Sequence, residues 1–386
     1  MKPNLGGFPG GDCENPLVRI RPVPLVLLLL LVVGTETHLF QTSGDPNRSW
    51  GIVAGFLLAL WVPIPLASAA WLAGGGDPTA VAVGGGPPIR TWVRNSGRIL
   101  RVDALPISVV VAGFAARPTR SPRGPFIAAT VYWAITGTAG AVLAATTSSG
   151  VAYGLGLCTA CVAIVTLAAS GPGTLVQGAR SREEAIKRTT MTPVVLAAQR
   201  GDLDAILALT ANLPAAPTHH ADQTLLSIRA GALSDSCRHA ESAALLRPAI
   251  TADTKPCSLH ATLASVLFEA LQRGDVPPER HREVENEIRG LHALLGRRIT
   301  NPHARHLLRA QLAYLNGEYA AAARGALTAS RYVPPGNRGT LYAFASLAQA
   351  RAGDPEAARR LLDRARNVGP ETPMIEPAAR ALGVAV

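Results

Sequence analysis

Residues 51–73 read GIVAGFLLALWVPIPLASAAWLA, and they decide the class of fold because they contain no charged side chain over 23 positions. An α-helix needs about 20 apolar residues to cross the hydrocarbon core of a bilayer. Similar uncharged runs occupy residues 126–147 and 151–169, and a shorter run with two flanking arginines occupies 17–34. The sequence therefore predicts a polytopic membrane helix bundle of about four spans over residues 17–180.

Composition divides the 386-residue chain into two halves. Residues 1–180 carry 12 Arg and Lys against 6 Asp and Glu, whereas residues 181–386 carry 25 against 20. The overall charged content of 16% is low for a soluble domain, where about 25% is usual. Hydrophobic content of 48% and only five cysteines exclude a disordered chain and a disulfide scaffold. Arg outnumbers Lys 34 to 3, which indicates a high-GC bacterial genome.

Basic residues predict the orientation, because they are retained on the cytoplasmic side of a membrane. Lys2, Arg19 and Arg21 precede the first span, and seven arginines lie in the loop 74–124. We therefore expect an integral protein of a bacterial plasma membrane with both termini in the cytoplasm and a disordered tail at residues 1–16. A secretory signal peptide competes for residues 23–34, but no small-residue cleavage site follows before Glu36.

The loop 74–124 contains a β-hairpin signal at residues 89–102. Apolar and polar side chains alternate on both sides of Asn95-Ser96-Gly97, which is a turn sequence. Residues 104–116 are apolar but too short to span, so they are interpreted as a re-entrant segment, an interfacial segment or a strand beside the membrane domain.

Spans two to four contain no Asp, Glu, His, Lys or Arg. Intramembrane zinc proteolysis needs metal ligands and a general base, and proton-coupled transport needs buried titratable groups. Cys158 and Cys161 form a C-x-x-C inside the fourth span, without a second pair or a nearby His, and are expected to be helix-packing residues. No catalytic residue, metal ligand or cofactor is predicted, and enzyme activity is left open.

The order of parts resembles the site-2 protease family of intramembrane zinc metalloproteases, in its bacterial branch with a C-terminal repeat domain. Residues 65–72 stand where that family carries its H-E-x-x-H helix, and residues 170–173 stand in the region of its third zinc ligand. Residues 81–88, the hairpin and Ala104-Leu105-Pro106 resemble its Gly-Pro segment, small strands and Leu-Pro element. No His, Glu base or Asp ligand is present at the catalytic positions, so the resemblance implies an inactive membrane domain.

After a linker at residues 181–191, residues 192–386 show helical periodicity throughout, with recurring turns. The turns have related sequences at regular spacings of 36, 37, 43 and 36 residues: Gly201-Asp202-Leu203, Cys237-Arg238-His239, Gly274-Asp275-Val276, Gly317-Glu318-Tyr319 and Gly353-Asp354-Pro355. A period near 34 residues predicts a cytoplasmic solenoid of α-helical hairpin repeats, with any other stack of helical hairpins as the alternative.

The last two units resemble the tetratricopeptide repeat family. The final unit matches that repeat at Tyr342, Ser346, Gly353, Ala358, Leu362, Ala365 and Pro370, and the preceding unit at Gly317, Ala322, Ala329 and Pro334. Stacked helix pairs of this kind have a concave face that binds peptides or helices. Four residues on first helices are candidates for partner binding: Arg305, Arg309, Tyr314 and Arg351.

These features predict a membrane-anchored cytoplasmic scaffold that recruits a protein or peptide partner. Nucleic acid is not indicated, since Trp92 is the only aromatic residue interleaved with the hairpin arginines, and no small-molecule substrate is identified. His303 and His306 have no Cys or carboxylate cluster beside them and are expected at the surface or at helix caps. An active site-2 zinc protease and a transporter or channel accessory subunit remain as alternatives.

Overall fold

The computed structural model describes residues 46–114, 124–180, 182–214, 217, 220–250, 258–296, 301–333, 337–368 and 372–385. The expected tail 1–16, the expected span 17–34, Pro334 and Pro370 lie outside these residues. The described chain is mostly helical with one small sheet, and it forms two units. In the described residues, the N-terminal unit comprises 46–90 and 100–192, and the C-terminal unit comprises 91–99 and 193–385.

The predicted span at residues 51–73 is helical but interrupted at Val62. Helix α1 spans Pro46–Trp61 and helix α2 spans Pro63–Ala73. Proline has no N–H group and cannot donate the backbone bond of a helix interior, which explains the break before Pro63. The helical path continues across it, since the N–H of Val62 donates to Leu58 O at 2.9 Å and that of Leu66 donates to Val62 O at 3.2 Å.

The sheet is a β-hairpin of strand β1, Asp77–Val93, and strand β2, Ile99–Phe114. The hairpin is therefore longer than the predicted 89–102, and the described part of the apolar segment 104–116 is a strand. At the turn, Gly97 N–H donates to Arg94 O at 2.8 Å and Arg94 N–H donates to Arg98 O at 2.9 Å. Gly97 has a φ of 84°, which matches a three-residue turn that ends in a left-handed glycine.

Helix α3, Gly124–Thr146, and helix α4, Gly150–Arg180, form a closely packed pair joined by residues 147–149. Glycines permit the close approach, because a Cβ on Gly156 would lie 2.6 Å from Gly140 O. Helix α1 also packs on α4, where a Cβ on Gly55 would lie 2.3 Å from Leu155 N. Cys158, expected to be a packing residue, is fully buried beside Ala59, and Cys161 is half-buried.

Two stretches in the described chain are long and apolar enough to cross a membrane, Val53–Ala73 and Ile127–Thr146. Only 25% and 17% of these stretches are buried, whereas the core helix of a soluble protein is mostly buried. The fourth predicted span, 151–169, lies in α4, but its apolar segment Gly150–Ile164 is shorter than a full span. Exposed apolar side chains extend along α3: Ile127, Val131, Ile135, Val142 and Leu143.

The C-terminal half is helical from its start, and residues 182–191, expected as a linker, belong to a helix. The helices are α5 (Arg182–Arg200), α6 (Leu203–Leu209), α7 (His220–Asp235), α8 (His239–Leu246), α9 (Ser258–Arg273), α10 (His281–Leu295), α11 (Pro302–Leu315), α12 (Tyr319–Ser330), α13 (Gly339–Arg351), α14 (Pro355–Val368) and α15 (Ile375–Leu382). Short 3₁₀ turns occupy Arg247–Ala249 and Pro278–Arg280.

The five recurring turns have one shared conformation. Their landmark residues all have a positive φ, at 80° for Gly201, 58° for Cys237, 90° for Gly274, 78° for Gly317 and 85° for Gly353. At the first, Gly201 N–H donates to Ala198 O at 3.2 Å and Asp202 N–H donates to Ala197 O at 3.0 Å. That pair of bonds is the Schellman motif, which ends a helix and reverses the chain.

Small buried residues allow the paired helices to pack closely. Ala358 and Ala365 of α14 are both 0% exposed, and α14 packs on α13. The Ser346 hydroxyl donates to Ala358 O at 2.7 Å and joins the two helices. In the preceding pair, Ala322 and Ala329 of α12 are also 0% exposed, and α12 packs on α11.

Candidate partner-binding surface

The four candidate partner-binding residues form two separate groups. Tyr314 lies beside Arg351, whereas Arg305 and Arg309 lie one helical turn apart on α11. At about 100° per residue, Tyr314 lies about 180° around the helix axis from Arg305. The structure therefore does not bring all four side chains to one face, and their role in partner binding stays a prediction.

Tyr314 belongs to an aromatic core inside the C-terminal unit. Its ring lies 5.6 Å from that of Phe268, 5.8 Å from that of Phe344 and 5.1 Å from that of Tyr319, measured between centroids. Only 8% of Tyr314 is exposed, and this burial raises the pKa of its hydroxyl despite the nearby Arg351. The ring stabilises the helical packing, and its hydroxyl meets Arg351, which is exposed.

Arg305 and Arg309 flank His306 at the surface of α11. Arg309 is exposed, Arg305 is half-buried, and the His306 ring stacks on Tyr332 with centroids 5.7 Å apart. Partial burial lowers the pKa of His306, and the two guanidinium groups lower it further. At neutral pH the positive charge of this part of α11 therefore comes from its arginines and not from His306.

Helix α15 covers neighbouring helices of the C-terminal unit. Helix α15 packs against both α9 and α13, and the residues from Leu341 to Ala348 of α13 are all buried. Arg273 at the end of α9 pairs with Glu376 of α15 at 3.2 Å, and Arg380 donates to the carbonyl of Arg273 at 3.4 Å. Helix α15 is therefore held on α9 and α13 by packing and by these polar contacts, and the expected concave face stays a prediction.

Within residues 181–386, positive charge is concentrated toward the C-terminus. Residues 301–386 contain 11 Arg against six Asp and Glu, whereas residues 181–300 contain 14 basic and 14 acidic residues. Among the described residues, Arg360 pairs with Glu356 at 3.5 Å and Arg380 pairs with Glu376 at 2.8 Å. The excess charge is therefore carried by helices α11 to α15 and their connections.

A polar cluster around the buried His239, which the sequence did not predict, joins α7, α8 and α9. His239 Nδ1 lies 2.6 Å from Asp275 Oδ2, and its Nε2 lies 3.9 Å from Glu269 Oε2. The Ser234 hydroxyl donates to the same Glu269 oxygen at 2.6 Å. Burial raises the pKa of Glu269, and His239 and Ser234 act in the opposite direction. His239 and Asp275 come just after Cys237 and Gly274, the positive-φ residues of two recurring turns. Their positions in these turns are the sequence signal from which the cluster could have been predicted.

The cluster is a structural cross-link between helices. The Ser234 hydroxyl is engaged with a carboxylate and not with the imidazole, so the geometry lacks an activated nucleophile. No group of three or more His, Cys, Asp or Glu suited to a metal ion occurs within the described ranges.

The expectation of a surface or capping role for His303 was wrong. Asn301 caps α11 by accepting from the N–H groups of His303 and Ala304, and the His303 side chain is buried. Its Nδ1 lies 3.3 Å from Ala329 O, which joins α11 to α12. Burial lowers the pKa of His303 from 6.5 to about 4, so the ring is neutral at physiological pH. The apolar spacing of α11 places position 303 on the buried side.

Comparison of the chain with protein-family models, with curated proteins and with solved structures finds no match.

Proposed function

We propose that this protein is a membrane-anchored cytoplasmic scaffold, whose C-terminal unit recruits a protein partner. One observation carries the proposal: two exposed, spanning-length apolar stretches precede a separate helical unit in which positive charge is concentrated. Val53–Ala73 and Ile127–Thr146 contain no Asp, Glu, His, Lys or Arg. Such stretches suit a hydrocarbon environment and offer no group for proton transfer or metal binding.

We infer that the C-terminal unit is built from tetratricopeptide-like helical hairpins. The positive-φ turn at five spaced positions, four of which have both Schellman bonds, supports this inference, as do the buried alanines of α12 and α14. Because α15 covers part of α9 and α13, we place the proposed binding surface on the exposed side of α11. Arg305 and Arg309 are the proposed contacts, and the surplus of arginine favours a partner with an acidic surface.

For the N-terminal unit we propose an inactive relative of the site-2 proteases with its arginine-rich loop in the cytoplasm. The order of a helix, a hairpin and then a helix pair supports that reading, together with the lack of Asp, Glu, His, Lys and Arg in spans two to four. Metal analysis of the full chain purified without chelator is expected to give far less than one zinc per chain. Stoichiometric zinc would favour an active protease instead.

Site-specific photo-crosslinking tests the recruitment surface directly. A photoreactive amino acid replaces Arg309 in the full chain within native membranes, and a control chain carries it in place of Arg282, an exposed arginine of α10. We expect a discrete protein adduct from position 309 and none from position 282. Mass spectrometry identifies the adduct, and the purified partner is then titrated against the full chain in nanodiscs.

The titration supplies the quantitative result. Loss of both guanidinium groups in R305A/R309A is expected to weaken partner binding about tenfold, since each charged contact at an exposed rim contributes roughly 0.5–1 kcal/mol. Equal adducts from positions 309 and 282, or unchanged affinity in the double variant, would contradict the proposed surface.

A further inference from the structure

His239 lies between two carboxylates of the helical unit. Its Nδ1 is 2.6 Å from Asp275 Oδ2, and its Nε2 is 3.9 Å from Glu269 Oε2. The imidazole is 1% exposed, whereas the Asp275 side chain is 40% exposed. An imidazolium has an N–H group on both nitrogens, while a neutral imidazole has only one. The positions of the two carboxylates therefore suit the protonated ring better than the neutral ring.

Asp275 is shared between His239 and a second cation. Arg273 Nε lies 3.9 Å from Asp275 Oδ1, which is the carboxylate oxygen that His239 does not contact. The same guanidinium also holds helix α15, because its Nη2 lies 3.2 Å from Glu376 Oε2. Asp275 and Glu376 therefore compete for one arginine. The charge of His239 affects how strongly Asp275 competes, since opposite charges attract over these distances.

Groups on the neighbouring elements complete the surroundings of this contact. Ser234 of α7 donates to Glu269 Oε2 at 2.6 Å, and burial raises the pKa of the Glu269 carboxyl. His281 of α10 has its Nε2 2.9 Å from Val276 O. Of the two histidines, which ordinarily change charge between pH 5 and 8, His239 is the one at Asp275. The other charged or ionisable groups here are Asp235, Cys237, Arg238 with its partner Glu241, and Arg380 of α15.

We propose that His239 is a proton-dependent switch that sets how firmly α15 is held on the helical unit. When His239 is protonated, its positive charge balances the Asp275 carboxylate. Arg273 then remains paired with Glu376. Loss of the proton leaves the Asp275 charge unbalanced, and this charge draws Arg273 away from Glu376. Helix α15, which packs on α9 and α13, then opens more often. The switch lies within the C-terminal unit and depends neither on membrane anchoring nor on a partner.

Hydrogen–deuterium exchange of the full chain in detergent tests the switch at pH 6 and pH 8. Protection factors remove the intrinsic effect of pH on exchange. We expect residues 375–382 to be about two- to fivefold better protected at pH 6, which is the range that one partly exposed ion pair supports. H239Q keeps a hydrogen-bond donor but does not titrate, so equal protection at both pH values is expected. H281Q is the control that retains the pH response, since His281 contacts a backbone carbonyl.

Two carboxylate variants separate competition for Arg273 from simple stabilisation. D275N removes the competitor of Glu376, so α15 is expected to keep at pH 8 the protection that the unmodified chain has at pH 6. E376Q removes the ion pair itself and is expected to give low protection of α15 at both pH values. E356Q is its control, because it breaks a comparable ion pair of 3.5 Å on α14. If the cluster were only a cross-link, D275N would instead loosen α15.

Three results would overturn the inference. They are equal protection of α15 at both pH values in the unmodified chain, an unaltered pH response in H239Q, and protection of α15 in D275N that is as low as in E376Q. Unchanged protection of α12 shows that a variant has kept its fold. If H239Q loses its fold, the comparison of D275N with E376Q still decides between a switch and a cross-link.

Discussion

Cys237 occupies a backbone conformation that suits glycine. Its φ of 58° is the only positive value of a non-glycine residue in the described chain, and the other four recurring turns have glycine at this position. A left-handed conformation costs an L-residue about 1–2 kcal/mol, while glycine costs roughly 0.5–1 kcal/mol in chain entropy. Cys237→Gly is therefore expected to stabilise the protein by about 0.5–1 kcal/mol.

Thermal unfolding in detergent measures this effect as a rise in Tm of a few degrees. Gly317→Ala is the mirror-image control, because Gly317 has a φ of 78° and no atom within 4 Å of an added Cβ. Only backbone strain changes there, so Tm is expected to fall by a similar amount. A lower Tm in Cys237→Gly would show that the thiol contributes more than its backbone strain costs.

His303 makes the protein sensitive to acid. Its Nε2 is buried without an acceptor, so protonation puts an unpaired N–H group and a charge into the interior. Because the folded pKa of about 4 lies below the ordinary 6.5, stability is complete above pH 6.5 and falls as pH decreases toward 4. The depression of the pKa corresponds to about 3 kcal/mol of stability lost across that interval.

Urea unfolding followed by circular dichroism between pH 4 and 7 measures the loss. His303→Gln retains a donor toward Ala329 O and does not titrate, so it is expected to flatten this part of the pH profile. His306→Gln serves as the control, since that ring is partly exposed and stacked on Tyr332. An unchanged slope in His303→Gln would contradict the assigned role.

At the scale of single elements, the hairpin shows what local sequence can and cannot predict. Alternation around Asn95-Ser96-Gly97 predicted the turn, and the structure has it. The strands extend to Asp77 and Phe114, across Gly84-Gly85-Gly86-Pro87-Pro88, which local rules interpret as a break. In a two-stranded sheet each strand has one free edge, so proline is tolerated where its missing N–H would face outward.

Gly97→Ala is expected to release the hairpin turn from the end of α5. The added Cβ would lie 2.3 Å from the carbonyl of Leu196, and a φ of 84° already disfavours any side chain. Hydrogen–deuterium exchange should become faster at residues 94–98 and 196–200. Gly290→Ala in α10 is the control, because an added Cβ meets nothing within 4 Å there. That change is expected to stabilise α10 by about 1 kcal/mol. Unchanged exchange in Gly97→Ala would contradict the close contact.

At the scale of the whole molecule, the sequence predicted the helical character, the spanning-length stretches and the turns of the C-terminal half. It did not predict the packing of α15 on α9, because this packing joins residues about 100 positions apart, as in the ion pair between Arg273 and Glu376. The periodicity of a sequence predicts contacts between helices that are adjacent along the chain, and it does not predict contacts between distant helices. For the same reason Tyr314, placed by pattern in a groove, lies in the aromatic core.

Membrane anchoring is the central claim. Substitutions on the exposed face of α3 can distinguish a helix that faces lipid from a helix that faces water. Val131 and Ile135 are 49% and 64% exposed and lie one turn apart. In a lipid-facing helix, arginine at mid-span costs roughly 2.5–3.5 kcal/mol at each position. In a soluble protein the same exposed positions accept arginine with little effect.

The most direct measurement is flotation of the full chain with membranes after extraction at alkaline pH in carbonate. We predict that the unmodified chain and V131L/I135L float with the bilayer, and that V131R/I135R is largely lost from the membrane fraction. Recovery of the unmodified chain in the soluble fraction, or equal flotation of the arginine and leucine variants, would contradict membrane anchoring.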